Sequence, residues 1–165
     1  MKPSEFKVVK AKKGFLLLPG FRAITWKGIV YCKNNKDVEL INTDDSINSD
    51  FESHESIHIR QAECTKDSWF IFYSLYLWQW LCNFVLFIYG LLIPYKFIAF
   101  ELEAVANEAN HDYAMHGAVY QWKKFNRLSL KQKCRFAKDY KSKKRIMRFS
   151  TYVKEFIVPS LESVK

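Results

Sequence analysis

The chain has 165 residues, 49% hydrophobic and 17% aromatic, with 26 Lys+Arg against 17 Asp+Glu and a formal net charge of +9. This length allows one compact domain with appended elements, and the sequence carries no glycine-rich phosphate loop, internal repeat or serine-triad signature. Cys32, Cys64, Cys82 and Cys134 are scattered without a CxxC pair and read as separate, reduced thiols, consistent with a cytoplasmic face.

Taken in chain order, the first apolar run, Phe15 to Leu18, is too short for the core of a signal peptide. Residues 21–26 and 29–32 are strand-like and separated by Lys27-Gly28; Asn34-Asn35 offers a turn into a third strand-like stretch, 38–41. These predict a small N-terminal β unit. Thr43, Asp44, Asp45 and Ser46 read as an acidic loop leading into a helix, whose start is marked by the S-x-x-E capping box Ser49-Asp50-Phe51-Glu52.

That helix carries His54-Glu55-Ser56-Ile57-His58, an HExxH pattern. Positions i and i+4 share a helical face, so two imidazoles can meet one Zn²⁺ while the intervening Glu55 reaches a water beside it. Phe51, His54, His58 and Gln61 fall on one stripe, which brings Gln61 near the metal face or leaves it a solvated helix residue. Cys64 is a poor ligand candidate.

The next feature is Ser68 to Tyr95, which holds no formal charge, and 69–93 is almost continuously apolar. As one helix those 25 residues would span roughly 38 Å, beyond the ~30 Å of a bilayer core. A single crossing would, however, separate the two halves of a metal site. A short helical hairpin or an interfacial segment fits better, and ten aromatics favour the headgroup boundary; the competing reading is a buried core helix.

A catalytic zinc site needs a third protein ligand, and the helix-forming stretch Phe100 to Glu108 offers one. Glu101, Ala104, Val105, Glu108 and His111 or Asp112 form one face. Small Ala104 one turn after Glu101 permits close helix approach, so Glu101 is favoured over Glu103 and Glu108. Glu108 suits a supporting partner for a ligand histidine, and Glu103, on the other side, reads as surface charge. A donor for a developing oxyanion is sought among His111, Tyr113 and His116, with His111 best phased.

From 121 to 165 there are 14 Lys+Arg and 3 acids, so the basicity is a C-terminal property. Trp122, Phe125, Leu128, Cys134, Phe136, Ala137 and Tyr140 are spaced for an amphipathic helix. Beside a hydrophobic segment this reads as an anchor to anionic lipid on the cytoplasmic side; a solvated charged face is the plain alternative, and nucleic-acid binding by Lys141 to Arg145, without a recognised motif, is the third reading.

HESIHIRQ followed by FELEAVANE resembles gluzincin-type metallopeptidases, and more closely a group of short bacterial membrane-associated HExxH proteins (HExxHxRQ … FExEAxANE). The resemblance implies His54, His58 and Glu101 as zinc ligands, Glu55 as general base, and an edge strand that binds extended peptide. Where many gluzincins carry Asp four residues after the ligand Glu, this chain has Val105, so support for the ligands must come from elsewhere.

The expectation is therefore an α+β, minimal zincin-like domain. It has a small N-terminal β-sheet, an HExxH helix and a Glu-bearing helix separated by a membrane-associated segment (68–95), all within 1–120, followed by a basic amphipathic helical region, 121–165. Expected partners are anionic membrane lipid and a peptide or protein substrate, with no nucleic acid. The expected activity is zinc-dependent peptide hydrolysis with Glu55 and His111 as catalytic groups. The alternative is a non-catalytic membrane-associated protein with a structural or vestigial metal site.

Overall fold

A computed structural model of the chain describes residues 10–14, 23–42, 50–116 and 121–162. Phe15 to Leu18, the start of the strand expected from 21, the acidic stretch 43–46 and the capping Ser49 lie outside the described residues. The protein is α+β and mostly helical, with one three-stranded sheet among the described residues. It divides into two compact units.

The first unit holds the described residues up to Phe72 together with those from Asn107 to His116. Its sheet has the order β1 (Lys10–Lys13), β3 (Ile29–Cys32), β2 (Ala23–Trp26), with β1 parallel and β2 antiparallel to β3. Lys27 and Gly28 both have positive φ (48° and 80°), the pairing that lets a two-residue hairpin follow the twist of its strands. At Gly14 a Cβ would stand 2.9 Å from Tyr31 Cβ, so the backbone can continue beside β3 there only as glycine.

The third strand expected over 38–41 is instead helix α1 (Asn35–Asn42). Asn34 Oδ1 accepts from Asp37 N at 2.8 Å, satisfying a backbone donor that a helix start leaves open, and this local bond diverts an otherwise β-prone stretch into a helix. Asn42 at the far end then grips β1, donating to Ala11 O (2.9 Å) and accepting from Ala11 N (2.8 Å).

The HExxH helix, α2 (Asp50–Cys64), packs against α1, β2 and α6 (Tyr113–His116). Its buried side includes Glu55, Ile57, His58, Gln61 and Ala62. Lys66 and Asp67, both at positive φ, end it and turn the chain into α3 (Trp69–Cys82).

The second unit comprises Tyr73–Ala106 and the described residues from Gln121. The uncharged run does not continue as one helix. α3 stops at Cys82, a 3₁₀ segment (Phe84–Tyr89) follows, Gly90 (φ 153°) turns the chain, and α4 (Ile93–Lys96) and α5 (Ala99–Asn107) return. Two polar side chains hold this hairpin from within: Asn83 Nδ2 donates to Pro94 O (3.1 Å), and Gln79 Oε1 accepts from Ala99 N (2.7 Å). Among the described residues no helix is long and apolar enough to cross a membrane.

The basic region folds as α7 (Trp122–Phe125), α8 (Leu130–Lys143), α9 (Phe149–Tyr152), a π-helical turn (Val153–Ile157) and α10 (Val158–Glu162). The apolar side of α8 does not face out. Phe136, Ala137 and Tyr140 join Leu86, Phe97, Leu102, Phe149 and Tyr152 in one core. Burying them there removes apolar surface from water as effectively as a lipid surface would, so only the basic side of α8 is outward.

Candidate metal centre

The two HExxH histidines lie one turn apart on α2, and their Nε2 atoms are 3.2 Å from each other. Each ring is held from behind. His54 Nδ1 lies 3.1 Å from Glu108 Oε2, and His58 Nδ1 lies 2.8 Å from Gln61 Oε1. Carboxylate and amide oxygens only accept, so each Nδ1 carries a proton here, and an imidazole deprotonated at Nε2 presents that atom's lone pair. At 3.2 Å the two Nε2 atoms can share a proton in a hydrogen bond or, with both deprotonated, hold a cation between them. Two nitrogens at about 2.0–2.1 Å from a tetrahedral zinc would stand ~3.3 Å apart.

The third member is Glu101 on α5. The two histidines belong to the first unit and Glu101 to the second. His58 and Glu101 are only 6% and 3% exposed. A buried carboxylate demands a positive partner or strong donors. Tyr76 supplies one donor, its hydroxyl 2.5 Å from Glu101 Oε1. Burial, with Glu101's charge adding to it, holds the Tyr76 phenol well above its ordinary value, so it remains a donor. The nitrogen–nitrogen–oxygen donor set and the supported rings fit zinc.

Glu55, buried beside these histidines, is anchored by a short hydrogen bond from Thr25 Oγ1 to its Oε2. Thr25 is the inward member of β2, with Ile24 and Trp26 exposed on either side. Strand and helix are thus tied at the residue expected to act as base.

Several sequence expectations land elsewhere. The helical phasing expected of His111 needs a helix that continues past Asn107, where α5 ends; His111 Nε2 lies 3.1 Å from Asp50 Oδ1, one turn before His54 on α2. Glu103 is fully buried rather than surface charge, because α5 is enclosed over most of its circumference. Val105, standing where Asp was expected, packs into the apolar core of its unit, and Glu108 and Gln61 supply the support to the histidines. Sequence reasoning missed Thr25 and Tyr76. Tyr76 lies inside the uncharged run, where its hydroxyl was submerged among apolar neighbours; Thr25 offered only its place in a strand ahead of HExxH.

Compared with protein-family models, curated proteins and solved structures, the chain matches none.

Proposed function

We propose that His54, His58 and Glu101 hold a zinc ion and that the protein is a zinc-dependent peptidase built on a minimal zincin-like arrangement. The observation that carries this reading is the facing pair of Nε2 atoms, each ring fixed through its Nδ1. Zinc, when bound there, supplies a Lewis acid for a peptide carbonyl and a water acidified to a pKa of about 7.

The chain's own residues do the rest. Glu55 accepts the proton of the attacking water and returns it to the leaving amine. Thr25 occupies Glu55 Oε2, so the carboxylate turns its other oxygen to that task. Gln61 and Glu108 keep the two imidazoles in the tautomer that presents Nε2, and Tyr76 fixes the orientation of Glu101. β2, the outer strand that carries Thr25, is the element on which an extended peptide would lie, adding main-chain hydrogen bonds beside Glu55.

The test is bound zinc per chain, measured by elemental analysis, together with cleavage of a quenched fluorescent peptide library. Wild type should carry about one zinc, and His58→Ala and Glu101→Ala should lose most of it. Glu55→Gln should keep the metal and lose hydrolysis. Zinc retained with hydrolysis unaffected by Glu55→Gln would remove the catalytic role and leave a structural metal site.

A further inference from the structure

Thirteen large hydrophobic side chains are exposed among the described residues, and eight of them fall between 70 and 91. Within the second unit alone these are Leu77, Trp78, Leu81, Phe84, Val85, Ile88 and Leu91, with Trp78 at 64%, Ile88 at 66% and Leu91 at 70%. Singly exposed hydrophobes need no account, but a concentration of this kind marks a surface with a partner.

Three observations identify that partner. The first is what the surface lacks. No residue from 68 to 95 bears a formal charge, and within 77–91 the side chains of Gln79 and Asn83 are turned inward, where they hold the hairpin together. A surface made for another soluble protein is rimmed by polar and charged groups, whereas one that enters hydrocarbon must present none. The second is the backbone of the turn. Leu86 N donates to Asn83 O, Gly90 N to Phe87 O and Ile93 N to Gly90 O, so these amides are satisfied without water.

The third is charge. The second unit carries 15 Lys+Arg against 5 Asp+Glu. α8 packs on the 3₁₀ segment of the hairpin, with Lys133 Nζ bonded to Asn83 Oδ1 (2.9 Å), and shows exposed Lys131, Arg135, Lys138 and Lys141 on its outer side.

We propose that the hairpin from Leu77 to Leu91 is a monotopic membrane-docking element. Its apolar side chains enter the headgroup–acyl boundary of an anionic bilayer, and the lysines and arginines of α8 meet the lipid phosphates. Neither half suffices for firm anchoring; a shallow apolar insertion and a basic patch act together. The aromatic content suits the boundary rather than the hydrocarbon centre. This docking does not rest on the metal reading.

The test is flotation of the full chain with phosphatidylcholine vesicles, with and without ~30% phosphatidylserine. Wild type should float with the anionic vesicles and bind neutral ones about tenfold less tightly. A Trp78→Asp/Ile88→Asp variant, with circular dichroism confirming its fold, should lose at least about tenfold in binding to anionic vesicles. A Lys131→Glu/Lys138→Glu variant should lose the anionic preference and keep the weak neutral binding. The proposal is overturned if wild type floats with neither vesicle, or if the hairpin variant floats like wild type. A wild-type dimer that ignores vesicles and becomes a monomer on Trp78→Asp/Ile88→Asp would give the surface to a second copy of the chain instead.

Discussion

The imidazoles of His54 and His58 present Nε2 because Glu108 and Gln61 occupy Nδ1, and that division of labour is testable residue by residue. Gln61→Ala and Glu108→Ala should each weaken zinc binding by about 10–100-fold in competition with a chelating dye, without abolishing it. Wild-type affinity in both variants would show that neither partner positions a ligand. A second residue-scale consequence concerns Lys133, buried with its ammonium on Asn83 Oδ1. Burial lowers its pKa from the ordinary lysine value. The folded state then holds fewer protons than the unfolded chain between the lowered value and about 10.4, so stability rises with pH across that window. Urea denaturation of wild type and Lys133→Gln at pH about 7 and about 9.5 should show wild type gaining relative to the variant at the higher pH. Parallel pH dependence would mean the lysine is hydrated in the fold.

At the scale of the element, α8 couples a local signal to the core. Ser129 Oγ accepts from Gln132 N while Gln132 Oε1 accepts from Ser129 N (2.9 Å), a reciprocal cap at the start of a helix whose Phe136, Ala137 and Tyr140 are core members. Ser129→Ala should cost about 1 kcal/mol, read as a lower urea midpoint at unchanged slope; an unchanged midpoint would mean water replaces the cap. Elements of this kind were only partly legible. The β2–β3 hairpin could be read because Lys27-Gly28 separates two alternating runs, and α2 because HExxH and a capping signal agree. Residues 38–41 misled because strand propensity outweighed the single Asn34 bond that starts α1. The uncharged run left its form open, since hydropathy does not register that Gln79 and Asn83 bond back to α4 and α5. The facing histidine pair was legible in spacing, and Glu108 in helical phase. Tyr76 and Thr25 were not, because their roles depend on contacts 25 and 30 residues away along the chain.

For the molecule as a whole, the proposed ligands His58 and Glu101 stand 43 positions apart in sequence and on different helices, α2 and α5. An unfolded chain would have to close that loop and order both segments before it could offer all three donors to one ion, so the proposed zinc would bind the folded protein selectively. At zinc about a hundredfold above its dissociation constant, selective binding stabilises the fold by about 2.7 kcal/mol. For a chain of this size that corresponds to a rise in Tm of about 5–10 °C, reversed by a chelator. Glu55→Gln should show the same rise, because Glu55 is held by Thr25 and is not among the three donors. His58→Ala should show little. Three thermal scans therefore separate metal binding from catalysis without needing a substrate. If wild type and Glu55→Gln rise together and His58→Ala does not, His58 is a metal donor and Glu55 is not. If Glu55→Gln also loses the rise, Glu55 is a ligand rather than a base, and the proposed peptidase mechanism fails with it.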